Sequence, residues 1–119
     1  MESRQPTCVI IEDEDEMREL LITQLGRIKL VEVVASYDDS IKGAMGVQKL
    51  KPDLLLLDVN VKGMEGPYFM EALQHKPKII VISGYTEDVM NNFQLTYDLL
   101  LSKPTTTDSL KRAVEMVLR

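Results

Sequence analysis

The chain has 119 residues, 45% hydrophobic and 28% charged, which suits one globular domain and excludes a largely disordered or fibrous chain. Its 14 Lys and Arg residues against 19 Asp and Glu residues give a net charge of −5, which argues against duplex DNA as a direct partner, because affinity for the phosphate backbone comes from clustered cations. No apolar run approaches the roughly 20 residues of a membrane-spanning helix, and no signal-peptide stretch follows Met1, so we expect a cytoplasmic protein with no membrane contact.

Short apolar runs alternate with helix-patterned segments along the chain, and such runs are typical of strands buried on both faces. Five strands are predicted, at residues 7–11, 30–35, 53–57, 78–82 and 98–101. Cys8 lies inside the first run and is the one cysteine of the chain, so we expect a buried structural thiol.

A helix is predicted after each strand. The first has its apolar face at Met17, Leu20, Leu21, Leu25 and Ile28. The second is capped by Asp38 or Asp39 and contains Ile41, Ala44, Met45 and Leu50. The third starts at Pro67 and buries Phe69, Met70 and Leu73, and the fourth contains Val89, Met90 and Phe93. The fifth is capped within residues 105–107 and has its apolar face at Leu110, Ala113, Val114 and Val117.

Strands that alternate with helices through right-handed crossovers predict an α/β fold with a doubly wound, five-stranded parallel sheet. Ligands of such sheets bind at the carboxyl ends of the strands. The predicted strand ends carry Glu12 and Asp13, Asp58, Ser83 and Gly84, and Lys103. We therefore expect these polar groups to meet at one edge of the sheet.

The side chains expected at this edge predict a phosphoryl-transfer site that uses a metal ion. Three carboxylates would repel one another without a cation, and ligands that are all oxygen favour Mg²⁺. Lys103 and Ser83 suit an anion beside that ion, and phosphoryl transfer is catalysed mainly by such placement of charge. Asp58 follows the most apolar strand and precedes Gly63 and Gly66, which favours it as a nucleophile that forms an acyl phosphate.

These motifs, in their order along the chain, resemble the receiver domain of bacterial response regulators. They are the acidic pair in Ile10-Ile11-Glu12-Asp13-Glu14, the run Pro52-Asp53-Leu54-Leu55-Leu56-Leu57-Asp58 with Gly63-Met64-Glu65-Gly66 after it, Ser83-Gly84, and Lys103-Pro104. The resemblance spans nearly the whole chain and implies one receiver domain over residues 1–119, with the strand order 2-1-3-4-5.

The resemblance also implies which residues carry the chemistry. Asp58 would accept a phosphoryl group from a sensor histidine kinase or a histidine phosphotransfer protein. Mg²⁺ would be held by Asp13, Asp58 and the backbone carbonyl of Asn60, with Glu12 nearby or acting through water. Asn60 and Tyr85 occupy the positions that tune hydrolysis of the acyl phosphate in receivers, and the bulk of Tyr85 predicts a phosphorylated state that lasts minutes or longer.

Three residues are implied in binding the phosphoryl group itself. Ser83 and the backbone amide of Gly84 would donate hydrogen bonds to it, and Lys103 would form an ion pair with it. The family also implies a cis peptide bond between Lys103 and Pro104, a conformation that is accessible because the second residue is proline.

Phosphorylation in this family changes a surface made by the fourth helix, the fifth strand and the fifth helix, where an output domain or a second copy of the chain would bind. Leu100 stands where many receivers carry a switch Tyr or Phe, with Tyr97 close by in sequence. The short spacing from Asp58 to Ser83 resembles regulators whose output is a LytTR-type DNA-binding domain.

Two other functions are open on the sequence. One is a binding module that keeps the fold but is not phosphorylated, and the intact set of site residues disfavours it. The other is a small phosphohydrolase that uses Asp13-Glu14-Asp15, and Met17, where that motif expects Thr or Val, disfavours it. His75 is the one histidine and is expected to be exposed, and a single histidine makes neither a metal cluster nor a catalytic triad.

Overall fold

A computed structural model of the chain describes residues 4–59, 66–84 and 96–119. The strands in these ranges are β1 (Thr7–Ile11), β2 (Glu32–Tyr37), β3 (Leu54–Asp58), β4 (Lys78–Ser83) and β5 (Leu99–Ser102). The helices are α1 (Asp15–Ile28), α2 (Ser40–Leu50), α3 (Gly66–Ala72) and the C-terminal helix (Thr107–Leu118). The fourth predicted helix, with Val89, Met90 and Phe93, lies outside the described residues.

The five strands form one parallel sheet in the order β2-β1-β3-β4-β5, which confirms the predicted doubly wound α/β fold and its strand order. The central strands are buried on both faces, as their apolar composition predicts. One core lies between the sheet and the pair formed by α1 and the C-terminal helix, and includes Ile10, Leu25, Leu56 and Val114. The other lies under α2 and α3 and includes Val9, Val47, Leu55 and Phe69.

The predicted second strand, residues 30–35, starts two residues too early. Leu30 and Val31 pack against the α1 core without joining the ladder, and pairing with β1 starts at Glu32. The register then shifts between Cys8 and Val9, so the ladder passes over Val34. Apolar composition alone does not separate a paired residue from a buried one that precedes the strand.

The predicted apolar face of α1 is correct except at Leu20, which is 42% exposed. Leu21 and Leu25 are fully buried, and the remaining place on the inward stripe is taken by Gln24, which is 5% exposed. Gln24, a polar residue with buried hydrogen-bond partners, thus lies at a position of the inward face where an apolar side chain is expected.

The inward face of α2 is made of small residues rather than of its large apolar ones. Ile41 is 67% exposed and Met45 68%, whereas Gly43, Gly46 and Val47 are buried. A Cβ atom at Gly43 would lie 2.6 Å from Cγ1 of Ile11, so a side chain there would push the helix off the sheet. The absence of side chains at these two glycines therefore decides which face of α2 packs.

Both predicted helix caps are present. Asp39 accepts a hydrogen bond from the backbone N–H of Lys42 at 2.7 Å, and it is the cap of α2. The C-terminal helix begins with a capping box in which Thr106 and Ser109 exchange hydrogen bonds, each of 3.0 Å. Its predicted face is confirmed, with Leu110, Ala113 and Val114 buried and Val117 partly buried.

From the sequence, Cys8 is predicted to be buried and His75 to be exposed. Cys8 is fully buried, as expected, and burial raises the pKa of its thiol to about 12. His75 is half-buried rather than exposed, because its Nε2 lies 2.6 Å from the carbonyl oxygen of Pro52. None of the helices in the described ranges has the length and apolar character needed to cross a bilayer.

Candidate functional site

The register of the sheet places Glu12 beside Asp58. Ile11 at the end of β1 pairs with Leu57 in β3, so the next residue along each strand lies at the same carboxyl edge. The backbone N–H of Glu12 also donates a 2.9 Å hydrogen bond to the carbonyl of Tyr37, which extends the β1–β2 ladder by one residue. Two carboxylates from distant parts of the chain are therefore fixed by strand pairing.

Glu12, Asp13 and Asp58 form an acidic cluster. Each contributes a carboxylate oxygen, and these oxygens all lie within 4.8 Å of one another. Glu12 is fully buried and Asp58 is 3% exposed, while Asp13 is partly exposed to solvent. Charges of the same sign at this separation in a buried place favour binding of a cation.

Lys103 is a cation that reaches this cluster from β5. Its Nζ lies 3.3 Å from Oδ1 of Asp58 and 3.8 Å from Oε1 of Glu12. Its backbone N–H donates a 3.0 Å hydrogen bond to the carbonyl of Ser83, and its peptide bond to Pro104 is cis, as the family resemblance implied. Among the described residues, one ammonium group lies against three carboxylates, so this part of the cluster is short of positive charge.

Burial raises the pKa of the Glu12 carboxyl group from 4.5 to about 7, and the neighbouring Asp58 adds to the increase. The backbone N–H of Glu14 donates a 3.2 Å hydrogen bond to Oε2 and works in the opposite direction. Oε1 is buried with no hydrogen-bond partner among the described residues. A buried carboxylate oxygen that lacks a donor, next to two further carboxylates, fits a hard divalent cation such as Mg²⁺.

Ser83 is the last residue of β4, and Gly84 follows it at the same edge. Asp58 pairs with Ile82, so Ser83 comes one residue beyond the partner of Asp58, and its own β5 partner is Ser102. Ser83 is fully buried. Gly84 is exposed, and among the described residues other than its chain neighbours no atom lies within 4 Å of the place where a Cβ would stand.

Six of the eight predicted site residues thus lie at the carboxyl edge of the sheet: Glu12, Asp13, Asp58, Ser83, Gly84 and Lys103. The other two, Asn60 and Tyr85, lie outside the described residues.

Two polar residues of α1, Arg18 and Gln24, were not predicted to contact this edge or the segment after Lys103. Arg18 donates from Nη1 to the backbone carbonyl of Glu12 at 2.9 Å, and Gln24 forms a buried pair with Thr105 just after Lys103. A signal for Gln24 exists in the sequence, because it lies three residues after Leu21 and four before Ile28, on the apolar stripe of α1. No sequence pattern marks Arg18, since its target is a backbone atom.

Comparisons with known proteins agree with this arrangement. Residues 8–115 match the family model described as response regulator receiver domain. An uncharacterized response regulatory protein of Vibrio cholerae is 28% identical over 116 residues, which are 95% of this chain and 48% of that protein. The transcriptional regulatory protein BtsR of Escherichia coli is 28% identical over 109 residues, which are 89% of this chain and 45% of that protein. The chain therefore spans about half the length of the curated relatives it matches.

Solved structures show the same fold. The receiver domain of NarL from Mycobacterium tuberculosis superposes with a TM-score of 0.84 at 23% identity, over 96% of each chain. The receiver domain of AraT from Geobacillus stearothermophilus has a TM-score of 0.78 at 27% identity, over 96% of this chain and 93% of that one. Because the family model covers most of the chain and the acidic edge has the expected residues, this chain belongs to the response regulator receiver domains, the phosphoacceptor switches of two-component signalling.

Proposed function

We propose that Asp58 is the phosphoacceptor of this domain and that it receives its phosphoryl group from the phosphohistidine of a sensor histidine kinase or a histidine phosphotransfer protein. The observation that carries the proposal is the position of Asp58, buried at the end of a central strand and in contact with both an acidic cluster and one lysine. In the transfer, a carboxylate oxygen of Asp58 attacks phosphorus while the bond from phosphorus to the imidazole nitrogen breaks, and the electron pair returns to that nitrogen.

In this proposal Glu12, Asp13 and Asp58 hold Mg²⁺, together with the backbone carbonyl of Asn60. Two observations support a resident cation: the carboxylate oxygens of this cluster lie within 4.8 Å of one another, and Oε1 of Glu12 has no hydrogen-bond partner among the described residues. When bound, Mg²⁺ offsets negative charge on the phosphoryl oxygens.

The groups on the β4 and β5 side would bind the phosphoryl group. Lys103 pairs with the Asp58 carboxylate now, at 3.3 Å, and would pair with a phosphoryl oxygen after transfer. Ser83 can donate its hydroxyl proton and Gly84 its backbone N–H to the same group. All three come from strand ends that the register brings next to Asp58.

The signal would leave through the surface of the fourth predicted helix, β5 and the C-terminal helix, toward an output domain or a second copy of the chain. Leu100 in β5 and the preceding Tyr97 are partly buried against the α2 and α3 core, so a shift of β5 would change their packing against that core. We propose one receiver domain over residues 1–119 that acts in the cytoplasm and catalyses its own dephosphorylation slowly, with Asn60 and Tyr85 setting the rate.

Acetyl phosphate, a small phosphoryl donor, tests the acceptor without a cognate kinase. With Mg²⁺ present, intact-protein mass spectrometry should detect one added phosphoryl group in the wild type and none in Asp58→Asn. Asp108→Asn is the matched control, because Asp108 is an exposed aspartate in the first turn of the C-terminal helix. Full labelling of Asp58→Asn, or no labelling of the wild type, would overturn the assignment.

A further inference from the structure

Gln24 and Thr105 form a buried polar pair that joins α1 to the segment carrying Lys103. Nε2 of Gln24 donates to the backbone carbonyl of Thr105 at 3.1 Å, and Oγ1 of Thr105 donates to Oε1 of Gln24 at 2.9 Å. Each residue is 5% exposed, and they are 81 residues apart in sequence. Both hydrogen bonds are shielded from bulk water. In such a buried place the loss of a hydrogen bond lowers stability the most.

The pair holds the chain two residues after Lys103. On the other side, the backbone N–H of Lys103 is bonded to the carbonyl of Ser83 at the end of β4. The backbone of Lys103 is therefore attached to the sheet on one side and, through Thr105, to the middle of α1 on the other. A lysine side chain has many rotamers, so the place its ammonium group reaches depends on a fixed backbone.

The C-terminal helix has a separate set of contacts. It is capped by Thr106 and Ser109 and buries Leu110, Ala113 and Val114 against the core shared with α1. These apolar contacts and the capping box position the helix, whereas the bonds of Gln24 reach the connection between β5 and the helix. Gln24 thus acts on the one segment that presents Lys103 to the site.

We propose that Gln24 is a positioning residue for Lys103: its pair with Thr105 fixes the backbone from which the ammonium group reaches the phosphoryl group on Asp58. The inference rests on the proposed function, in which Lys103 binds the phosphoryl group. Among the described residues, the hydrogen bonds of Gln24 go to Thr105 and not to Glu12, Asp13 or Asp58. Its removal should therefore weaken binding of the phosphoryl group without weakening binding of Mg²⁺, whose described ligands lie at the ends of β1 and β3.

Beryllofluoride, an analogue of the phosphoryl group, separates these two events. Isothermal titration calorimetry would measure the Kd of Mg²⁺ first, and then the Kd of beryllofluoride at saturating Mg²⁺. Gln24→Leu should raise the Kd of beryllofluoride about tenfold, on the scale of one misplaced charge-assisted hydrogen bond. It should not raise the Kd of Mg²⁺, because a displaced ammonium group repels the ion less. Thr23→Ala, at the exposed neighbouring position of α1, should change neither.

The double variant Gln24→Leu/Thr105→Val separates positioning from stability. It also removes the Thr105 hydroxyl, so it should recover the part of the lost stability that comes from leaving this hydroxyl unpaired, whereas the Thr105 carbonyl still lacks its donor and the connection is not held by these hydrogen bonds. We expect its urea midpoint to rise toward that of the wild type while its affinity for beryllofluoride stays low. If Gln24→Leu does not fold, the double variant alone tests the inference, through its Kd of beryllofluoride and its Kd of Mg²⁺.

Wild-type affinity for beryllofluoride in either variant would overturn the inference, as would a loss of Mg²⁺ affinity by the same factor. Failure of the proposed function gives a different result. In that case the wild type itself would not bind beryllofluoride, or Lys103→Ala would bind it as well as the wild type does.

Discussion

Replacement of Glu12 by glutamine should make the metal-free protein more stable at neutral and alkaline pH. The Glu12 carboxyl group has a pKa of about 7 in the folded protein against 4.5 for an ordinary glutamate, and burial is the main cause. The native state therefore keeps a proton that the unfolded chain releases. Its contribution to the free energy of unfolding is fully present below about pH 4.5 and is lost as the pH rises through about 7.

The size of this effect follows from the two pKa values. A rise of the pKa from 4.5 to about 7 lowers the free energy of unfolding by ~3 kcal/mol as the pH increases from below the first value to above the second. Glutamine has nearly the same shape and no charge, so Glu12→Gln should remove this part of the pH dependence. With a urea m-value of about 1 to 3 kcal/mol per molar, the wild-type midpoint at about pH 8 should fall below that of the variant by about 1 M or more.

Urea denaturation in the presence of a chelator, at several values between about pH 4 and pH 8, measures the difference between the two proteins. Glu16→Gln is the control, because Glu16 is exposed in the first turn of α1, and it should follow the wild-type profile. Saturating Mg²⁺ should stabilise the wild type most at high pH, where the ion no longer competes with the proton, and should stabilise Glu12→Gln less. Parallel pH profiles for wild type and Glu12→Gln would refute the reasoning.

Three further predictions concern packing. Gly46→Ala should lower the free energy of unfolding by about 1 to 3 kcal/mol, because its Cβ would overlap the Tyr37 ring. Gly26→Ala should raise it by about 0.5 to 1 kcal/mol, because in the described part of the chain nothing beyond the local backbone of α1 lies within 4 Å of the new atom. Equal urea midpoints for the two variants would contradict the close approach of α2 to the sheet. Cys8, whose pKa is raised to about 12, should react with a thiol reagent only on unfolding, and rapid labelling of the native protein at neutral pH would contradict its burial. Gln48→Ala should cost about 1 kcal/mol, because its side-chain oxygen accepts from two backbone amides just after α3, and an unchanged urea midpoint would show that these bonds contribute nothing.

Helix α2 shows where sequence patterns fail. Hydrophobic periodicity gives weight to Ile41 and Met45 and none to Gly43 or Gly46, yet the glycines face the sheet and the large side chains face solvent. The reason is geometric. A helix can approach a sheet closely only where it has no side chain, and whether a close approach is needed depends on residues of other elements, here Ile11 and the ring of Tyr37.

The acidic edge was easier to predict, because parallel strands bring their carboxyl ends together whatever their order in the sequence. Polar residues directly after apolar runs, such as Asp58 and Lys103, were sufficient to predict that these groups would share one edge. What the sequence could not supply was the state of Glu12. Glu12 is buried, its Oε1 has no hydrogen-bond partner among the described residues, and its pKa is raised. These properties depend on how Asp58, Asp13 and Lys103 are arranged around it in space.

The amino-acid sequence by itself determined the alternation of strands and helices, the helix caps and the residues at the strand ends, because these depend on short-range periodicity and local hydrogen bonding. Only the tertiary structure decided which face of α2 packs, which carboxylate is desolvated, and that Gln24 joins Thr105 across 81 residues. Those features arise where separate elements meet, and the free energy of such contacts depends on distances and burial that no local pattern contains.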